Sequence, residues 1–227
     1  MMSLQRYACV LIVSVGFVDA TPSASGQSTA QPLSSPRLVS VKRIWDQAPH
    51  NAYTDLMFQE GLWYCVFREG SRHVSPYGSI RVITSTDGDL WTSRALVTDP
   101  VEDLRDAKIS VTPTGQLMLN GAGMQADKEI RYHSMAWFSS DGGKSWTDAH
   151  RIGDPGFWLW RVQWHNGVCY SMGYETNRDR SKRTARFYRS SDGKTYEALI
   201  PKLNLDNGVG EDTIVIDDDG SALCLFR

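Results

Sequence analysis

The sequence has little of what several functional classes require. Lys and Arg number 24 against 26 Asp and Glu, which gives a formal net charge of −2 and no positive surplus for holding a nucleic acid. The four cysteines include no pair at the C-x-x-C spacing of a zinc site. No segment shows a helical period of apolar residues. These absences argue against a nucleic-acid-binding protein, a zinc domain and a helical repeat array.

The N-terminus carries the features of an export signal. Arg6 precedes an apolar run from about Tyr7 to Val18, and compact residues follow it where a signal peptidase would cut. The alternative, a membrane anchor, needs roughly 20 apolar residues, and this run is too short. We therefore predict a cleaved signal peptide over 1–20 and a secreted or periplasmic protein without membrane contact after cleavage. Residues 21–37, rich in Ser, Pro, Ala and Thr, are predicted to be a disordered linker.

The cysteines are predicted to be buried thiols. Cys9 would leave with the signal peptide, so Cys65, Cys169 and Cys224 remain, an odd number that argues against a full disulfide framework. Each of the three lies inside an apolar, strand-like run, where a small hydrophobic side chain is the expected role.

A short motif occurs three times at nearly constant spacing. The stretches are "STDGDLW" at 85–91, "SSDGGKSW" at 139–146 and "SSDGKTY" at 190–196, with their aspartates 54 and 51 residues apart. A period near fifty residues indicates repeated supersecondary units.

A second repeat fixes what each unit contains. Gly61, Gly115, Gly167 and Gly220 follow one another at intervals of 54, 52 and 53 residues, and each stands between two strand-like apolar runs. Every unit therefore holds two hairpins and four antiparallel strands. Four-stranded sheets repeated at this spacing are typical of the blades of a β-propeller, so we predict an all-β fold.

The residues of the first repeat also carry a family resemblance. Ser139-x-Asp141-x-Gly143-x-x-Trp146 resembles the Asp-box, or BNR repeat, of the sialidase-type propellers, and the resemblance covers roughly 40–227. It implies six blades in a complete, monomeric ring. About three and a half would lie within 38–227, and we expect this fragment alone to be unstable. The blade repeats are predicted near 55–107, 108–160, 161–211 and 212–227.

The resemblance implies a structural role for the motif. In the family the aspartate lies in the turn between the third and fourth strands, where it can accept backbone N–H groups, and the aromatic residue packs between strands. The residues given this structural role are Asp87, Trp91, Asp141, Trp146, Asp192 and Tyr196.

One face of the propeller is predicted to hold the functional site. Because alternate connections of a blade lie at opposite ends, the entries to the first strands and the exits from the second strands share one face. Arginines, carboxylates and aromatic rings are concentrated there, as suits an anionic sugar. The alternative for Trp158 and Trp160 is a place in the core between blades, and for His73 a bond to neighbouring backbone. The predicted substrate-binding residues are Asp55, Arg68, Glu69, His73, Trp160, Arg161 and Arg227.

The last segment supplies the catalytic candidates. "GEDTIVIDDDGSALCLFR" at 210–227 resembles the sialidase stretch in which a glutamate precedes an arginine across an apolar hairpin. The resemblance implies that Glu211 is the base for a tyrosine nucleophile and that Arg227 helps to clamp the substrate carboxylate. The family's first-strand arginine and acid/base aspartate have no counterparts in "NAYTDLM" and "REGSRHVSPYG". Asp106 from the next blade is therefore the candidate acid/base, with Arg68, Glu69 and His73 as other substitutes.

Two functions follow as hypotheses. The first is a secreted glycoside hydrolase of the sialidase-like type that removes terminal, acidic sugars from glycans. The alternative is a non-catalytic propeller that binds a glycan or a protein through the same face. The sequence contains no metal-ligand cluster or phosphate-binding loop, so neither hypothesis includes a metal or a cofactor, and the expected partner is a glycan.

Overall fold

The structure is a computed structural model that describes residues 38–176, 179–203 and 209–227, together with the backbone of 9–13. The rest of the predicted signal peptide, and the predicted linker at 21–37, lie outside the described residues. Across the described ranges, no helix is both long enough and apolar enough to cross a membrane.

Fifteen β-strands and one short 3-10 helix make up the regular structure of these residues. The N-terminal strand is β1 (Cys9–Val13). Blade 1 consists of β2 (His50–Gln59), β3 (Leu62–Gly70), β4 (Ser79–Ser85) and β5 (Thr92–Val97). Blade 2 consists of β6 (Asp103–Val111), β7 (Leu117–Met124), β8 (Tyr132–Ser139) and β9 (His150–Ile152). Blade 3 consists of β10 (Phe157–His165), β11 (Val168–Glu175), β12 (Ala185–Ser190) and β13 (Glu197–Leu203), with the 3-10 helix (Arg180–Lys182) before β12. The last sheet contains β14 (Asp212–Ile216) and β15 (Ala222–Phe226), and β1 pairs with β15.

The sheets are arranged as successive blades. Within each blade the strands pair in chain order and antiparallel, so each blade is a simple up-and-down sheet. The first strands pack side by side, β2 against β6, β6 against β10 and β10 against β14. The first strand of each blade is therefore the innermost, and the prediction of an all-β propeller with four-stranded blades is confirmed.

The repeated glycines form the first hairpin of each blade. Gly61, Gly115, Gly167 and Gly220 have φ angles between 79 and 83°, in the left-handed region that a side chain disfavours. This backbone conformation lets the first strand reverse tightly into the second.

The three Ser-x-Asp turns form the second hairpins and share one hydrogen-bond pattern. Ser139 Oγ donates to Asp141 Oδ1 at 2.8 Å and accepts the backbone N–H of Gly143 at 2.9 Å. Asp141 Oδ1 accepts two further backbone N–H groups, from Lys144 and Ser145. Hydrogen bonds from Ser145 and the other turn donors hold the pKa of Asp141 below its ordinary value. The same pattern occurs around Asp87 and Asp192, so all three carboxylates are engaged in their own turns.

The aromatic residue of each turn closes it. Trp146 Nε1 donates to the carbonyl of Gly143 at 3.2 Å, and Trp91 Nε1 donates to Gly88 in the same way at 2.8 Å. The Tyr196 hydroxyl instead lies 3.2 Å from the Cys169 sulfur.

The predicted burial of the cysteines is confirmed. Cys65, Cys169 and Cys224 are free thiols in the interior of the sheets. Burial raises the pKa of Cys65 to about 11 and the pKa values of Cys169 and Cys224 to about 12, because the thiolate loses its hydration there. These thiols are therefore unreactive core residues.

The Ser139→Ala variant is expected to lose about 1–2 kcal/mol of unfolding free energy, because it leaves the buried Gly143 N–H without an acceptor. Urea denaturation followed by circular dichroism measures the loss. The matched control is Ser71→Ala, at an exposed serine that forms no side-chain hydrogen bond among the described residues. Equal midpoints for Ser139→Ala and Ser71→Ala would show that the turn hydrogen bonds do not stabilise blade 2.

Candidate functional site

The first strand of blades 1, 2 and 3 is bulged at the same place. The pairing shifts between Ala52 and Asp55 in β2, and equivalent shifts occur between 105 and 108 in β6 and between 159 and 162 in β10. Each bulge lies at the strand end away from the glycine hairpin. A bulge inserts an extra residue and redirects side chains. The bulges therefore add side chains to the predicted functional face at the innermost strands.

Two of the bulges contain residues with left-handed backbone. Tyr53 has a φ of 62° and Asp106 a φ of 51°, although neither is glycine. Backbone strain of this kind persists where the surrounding structure enforces it, and it concentrates at functional sites.

Asp55 and Arg161 join three blades at the axis. Arg161 Nη2 donates to Asp55 Oδ1 at 2.5 Å, and Nη1 lies 3.3 Å from Oδ2. Asp55 Oδ2 also accepts the backbone N–H of Ile109 at 3.0 Å. Since Asp55 belongs to β2, Ile109 to β6 and Arg161 to β10, the bonds tie the innermost strands of blades 1, 2 and 3 together.

Aromatic rings form a wall beside these charges. Trp158 lies 5.4 Å from Trp160 and 6.1 Å from Tyr174, and Tyr132 stacks on Trp158 at 5.1 Å between ring centroids. Trp158 and Tyr174 are buried, whereas Trp160 is partly exposed and has the Lys108 ammonium 4.8 Å from its ring centroid. Trp158 is thus a core residue, whereas Trp160 is only partly buried and has the Lys108 ammonium over its ring.

Asp106 is an almost buried carboxyl group without a partner. It is 4% exposed, and within the part of the chain that the structure describes it forms no hydrogen bond or ion pair. Burial raises its pKa to about 6, against the lowering effect of the nearby Lys108 and Arg105, while the charge of Glu211 raises it further. The Asp106 carboxyl group can therefore hold or release a proton close to neutral pH.

Glu211 and Arg227 meet at the same face. Arg227 Nη1 lies 2.6 Å from Glu211 Oε2, and the Arg227 backbone N–H donates to the Glu211 carbonyl at 2.8 Å. The charge of Glu211 also acts on Asp106 and Tyr174, raising the pKa of each, although burial is the larger cause in both cases. We call Asp55, Asp106, Lys108, Trp160, Arg161, Tyr174, Glu211 and Arg227 the axial cluster.

Similarity to solved structures agrees with this architecture. A protein of unknown function from Dyadobacter fermentans is 16% identical, with a TM-score of 0.67 over 78% of this chain and 62% of its own. An alpha-L-arabinanase from Penicillium chrysogenum, solved with arabinobiose, is 14% identical, with a TM-score of 0.61 over 79% of this chain and 57% of its own. The alpha-L-arabinofuranosidase Arb93A from Fusarium graminearum is 14% identical, with a TM-score of 0.60 over 79% and 56%.

The fold is a β-propeller. At these identities the similarity shows the fold alone, and the chain spans about three-fifths of the length of these structures. No protein-family model matches the sequence. No curated protein matches it either.

Two of the predicted substrate-binding residues form hydrogen bonds to other groups of the protein instead. Arg68 is fully buried and donates to Asp103, to Ser75 and to the Arg72 carbonyl. Its proposed contact with substrate is therefore wrong, because a guanidinium without exposed surface cannot reach a ligand. Glu69 accepts hydrogen bonds from Trp45 and Arg81 within blade 1, so it too is occupied.

His73 is exposed and lies close to a residue that the sequence did not single out. Its Nε2 lies 2.8 Å from the Tyr53 hydroxyl, and the carbonyl of His73 accepts a hydrogen bond from Arg105. Tyr53 was missed because an aromatic residue in a strand usually packs in the core. The available signal was the spacing of 53 residues between Tyr53 and Asp106, which places both at the same point of the repeat.

The Asp106→Asn variant is expected to be more stable than the wild type above pH 6, by about 1–3 kcal/mol at pH 8. The pKa of Asp106 is about 6 in the folded protein and near 4 when unfolded. Raising the pH through this window therefore costs stability, because the buried carboxyl group must ionise. Asparagine removes this cost and tolerates the left-handed backbone. Chemical denaturation at pH 4.5 and pH 8 measures the difference.

The control is Asp103→Asn, which should destabilise the protein at both pH values because it leaves Arg68 buried with a weaker partner. Equal stability of Asp106→Asn and wild type at pH 8 would contradict the raised pKa of Asp106.

Proposed function

We propose that this chain belongs to a secreted or periplasmic glycoside hydrolase that removes terminal sugars from glycans. The observation that carries the proposal is Asp106, a nearly buried carboxyl group without a hydrogen-bond or ion-pair partner among the described residues. It lies on a strained bulge of an innermost strand, with the charge of Glu211 nearby. Glycosidases commonly use two carboxyl groups that differ in protonation, one as acid and one as base or nucleophile. The similarity to an arabinanase and an arabinofuranosidase supports the same reaction class.

The two carboxyl groups have different environments, which suggests different roles. Asp106 holds a proton up to about pH 6 and can give it to the glycosidic oxygen as the sugar leaves. Glu211 lies against the Arg227 guanidinium, with Oε2 2.6 Å from Nη1, so its environment is that of an ion pair, whereas Asp106 has no such partner among the described residues. In our proposal Glu211 is the carboxylate that activates the attacking group, whether a water molecule or a tyrosine.

The remaining members of the axial cluster would bind the sugar. The exposed part of Trp160 offers an apolar contact for a sugar ring, and the Lys108 ammonium over the indole can donate to sugar hydroxyls. Lys108 has no ion-pair partner among the described residues, although it is 7% exposed. The paired Asp55 and Arg161 supply further acceptors and donors at the axis.

The pairing of the arginines favours a neutral sugar over an acidic one. Arg161 is bound to Asp55, Arg227 to Glu211 and Arg105 to Asp103. A substrate carboxylate would have to displace one of these partners before a guanidinium could hold it. We therefore propose a neutral glycan, such as one ending in a pentose, as the substrate.

A sialidase-like enzyme acting on acidic sugars is the second candidate. The observation in its favour is the contact of Glu211 with Arg227, the two residues that match the sialidase motif. A non-catalytic propeller that binds glycans is the third, and the partly exposed Trp160 would serve it equally well. The three candidates differ in what the protein releases from model substrates.

Asp106→Asn and Glu211→Gln are each expected to lower kcat/KM on a sensitive glycoside by a factor on the order of 10²–10⁴. In the wild type, kcat/KM should fall as the pH rises through about 6, because Asp106 loses the proton that it must donate. The measurement is a pH–rate profile from pH 4 to 9. Asp218→Asn, in the exposed hairpin between β14 and β15, is the control and should behave as the wild type. Full activity in Asp106→Asn would remove Asp106 from the mechanism.

A panel of chromogenic glycosides separates the three candidates. We expect release from neutral arabinofuranosides or xylosides and none from sialosides, because the axial arginines already have carboxylate partners. Release of sialic acid would instead favour the second candidate. Saturable glycan binding without release from any member of the panel would favour the third.

A further inference from the structure

A second concave site lies away from the axial cluster, between the outer parts of blades 1 and 2. It is a cleft of about 630 Å³ between the end of β5 and the segment that leads into β9. Strand β9 has three residues, whereas β5 and β13 have six and seven. The segment 144–149 precedes this short strand without being part of it, and it forms one wall of the cleft.

Glu102 is a lining residue whose carboxylate is buried and has one unused oxygen behind the floor of the cleft. Glu102 is 3% exposed, and its Oε1 accepts from Arg151 at 2.7 Å and from Gln125 at 3.1 Å. Its Oε2 has no hydrogen-bond partner among the described residues. This oxygen lies over Gly123, where a Cβ atom would come within 1.7 Å of it. A buried acceptor of this kind favours a ligand that brings an O–H or N–H donor.

The other lining residues restrict the ligand further. Trp137 and Met135 are buried at the floor, and Trp146 is partly exposed on the wall. Met135 Sδ borders the space above Gly123, and its flexible side chain can move to admit a hydroxyl group. Aromatic rings beside a hydrogen-bond acceptor suit a sugar, which has an apolar C–H face and hydroxyl donors on its edge.

The charges of the lining disfavour an anionic ligand. The charged residues of the lining are Asp99, Glu102, Asp148, Lys144 and Arg151, three acidic and two basic. Glu102 is neutralised by Arg151, and Asp99 is occupied by the backbone N–H groups of the two residues that precede β6. The lining thus carries one net negative charge and offers an anion no surplus of positive charge.

We propose that the cleft between blades 1 and 2 is a second carbohydrate-binding site, which takes one or two units of a neutral oligosaccharide. Its volume is within the range of pockets that enclose small ligands. The choice of a glycan as ligand rests on the proposed function. Because this site lies away from the axial cluster, it would bind one part of a polysaccharide while the end of the same chain is hydrolysed at the axial cluster. Binding at the second site would therefore raise the concentration of chain ends near the axial cluster.

The test uses the full chain with Asp106→Asn and Glu211→Gln, so that the probe is not consumed. Arabinotriose and xylotriose are titrated by calorimetry. Thr98→Trp fills the cleft from its exposed rim without altering the core. We expect it to weaken binding at least tenfold. Thr92→Trp, at the exposed first residue of β5 and outside the cleft, is the matched control and should stay within twofold.

The outcomes separate this proposal from the proposed function. Failure of both probes to bind, or binding that Thr98→Trp leaves unchanged, would overturn the second site even if the wild type hydrolyses glycosides. Binding that depends on position 98 would support the second site even if no glycoside is hydrolysed, and the proposed function alone would then fail. Thr98→Trp on the wild-type background should keep its turnover of a small aryl glycoside, since that substrate uses the axial cluster alone.

Discussion

The carboxylate of Asp103 is the interaction on which the candidate site depends. It is 2% exposed and accepts from Arg68, from Arg105 and from the backbone N–H of Gly78. Arg68 and Gly78 belong to blade 1 and Asp103 to blade 2, so these bonds fix one blade against the next. Two buried guanidinium groups share one carboxylate, which leaves a net positive charge in the interior. Two glycines leave space for the Arg68 guanidinium, since a Cβ atom at Gly70 or Gly78 would come within 2.4 Å of it.

This buried charge has a direct consequence for Asp106, three residues further along β6. Burial alone would push the pKa of Asp106 far upward, but the positive charges of Lys108, Arg105 and Arg68 oppose it. The balance leaves the pKa near 6, in the range where a carboxyl group can both give and take a proton. Arg68 and Arg105, the two arginines that bind Asp103, therefore also help to set the pKa of the proposed acid. This coupling explains why a site can be built on innermost strands, where carboxyl groups are otherwise costly.

How much the sequence predicted depends on how local each feature is. The glycine hairpins and the Ser-x-Asp turns were predictable because their hydrogen bonds form within a few residues, so a short motif contains the whole interaction. The spacing of these turns in turn predicted the four-stranded blades. The role of Arg68 was not predictable, because its partner Asp103 is 35 residues away and the charge of an arginine gives no sign of burial. The bulges were missed for the same reason, since they depend on pairing between β-strands.

Asp55 and Asp212 show that the repeat predicts where a residue lies in a blade but not which partners its side chain has. Asp55 lies in β2 and Asp212 in β14, the first strands of their sheets. Each is four residues before the last paired residue of its strand, and each is paired with a residue of the second strand. Asp55 receives the Ile109 backbone N–H and the Arg161 guanidinium, and it forms an ion pair. Asp212 is 4% exposed, and neither of its oxygens has a hydrogen-bond partner among the described residues. Burial raises the pKa of Asp212 well above the ordinary value, although the charge of Arg161 opposes this. The same residue type in a first strand thus has a different environment in the two blades, because neighbouring strands supply donors to Asp55, whereas none of the described residues donates to Asp212. For a propeller, the chemistry of a site is therefore decided between blades, where first strands meet, and a motif found within one blade predicts the scaffold better than it predicts the reaction.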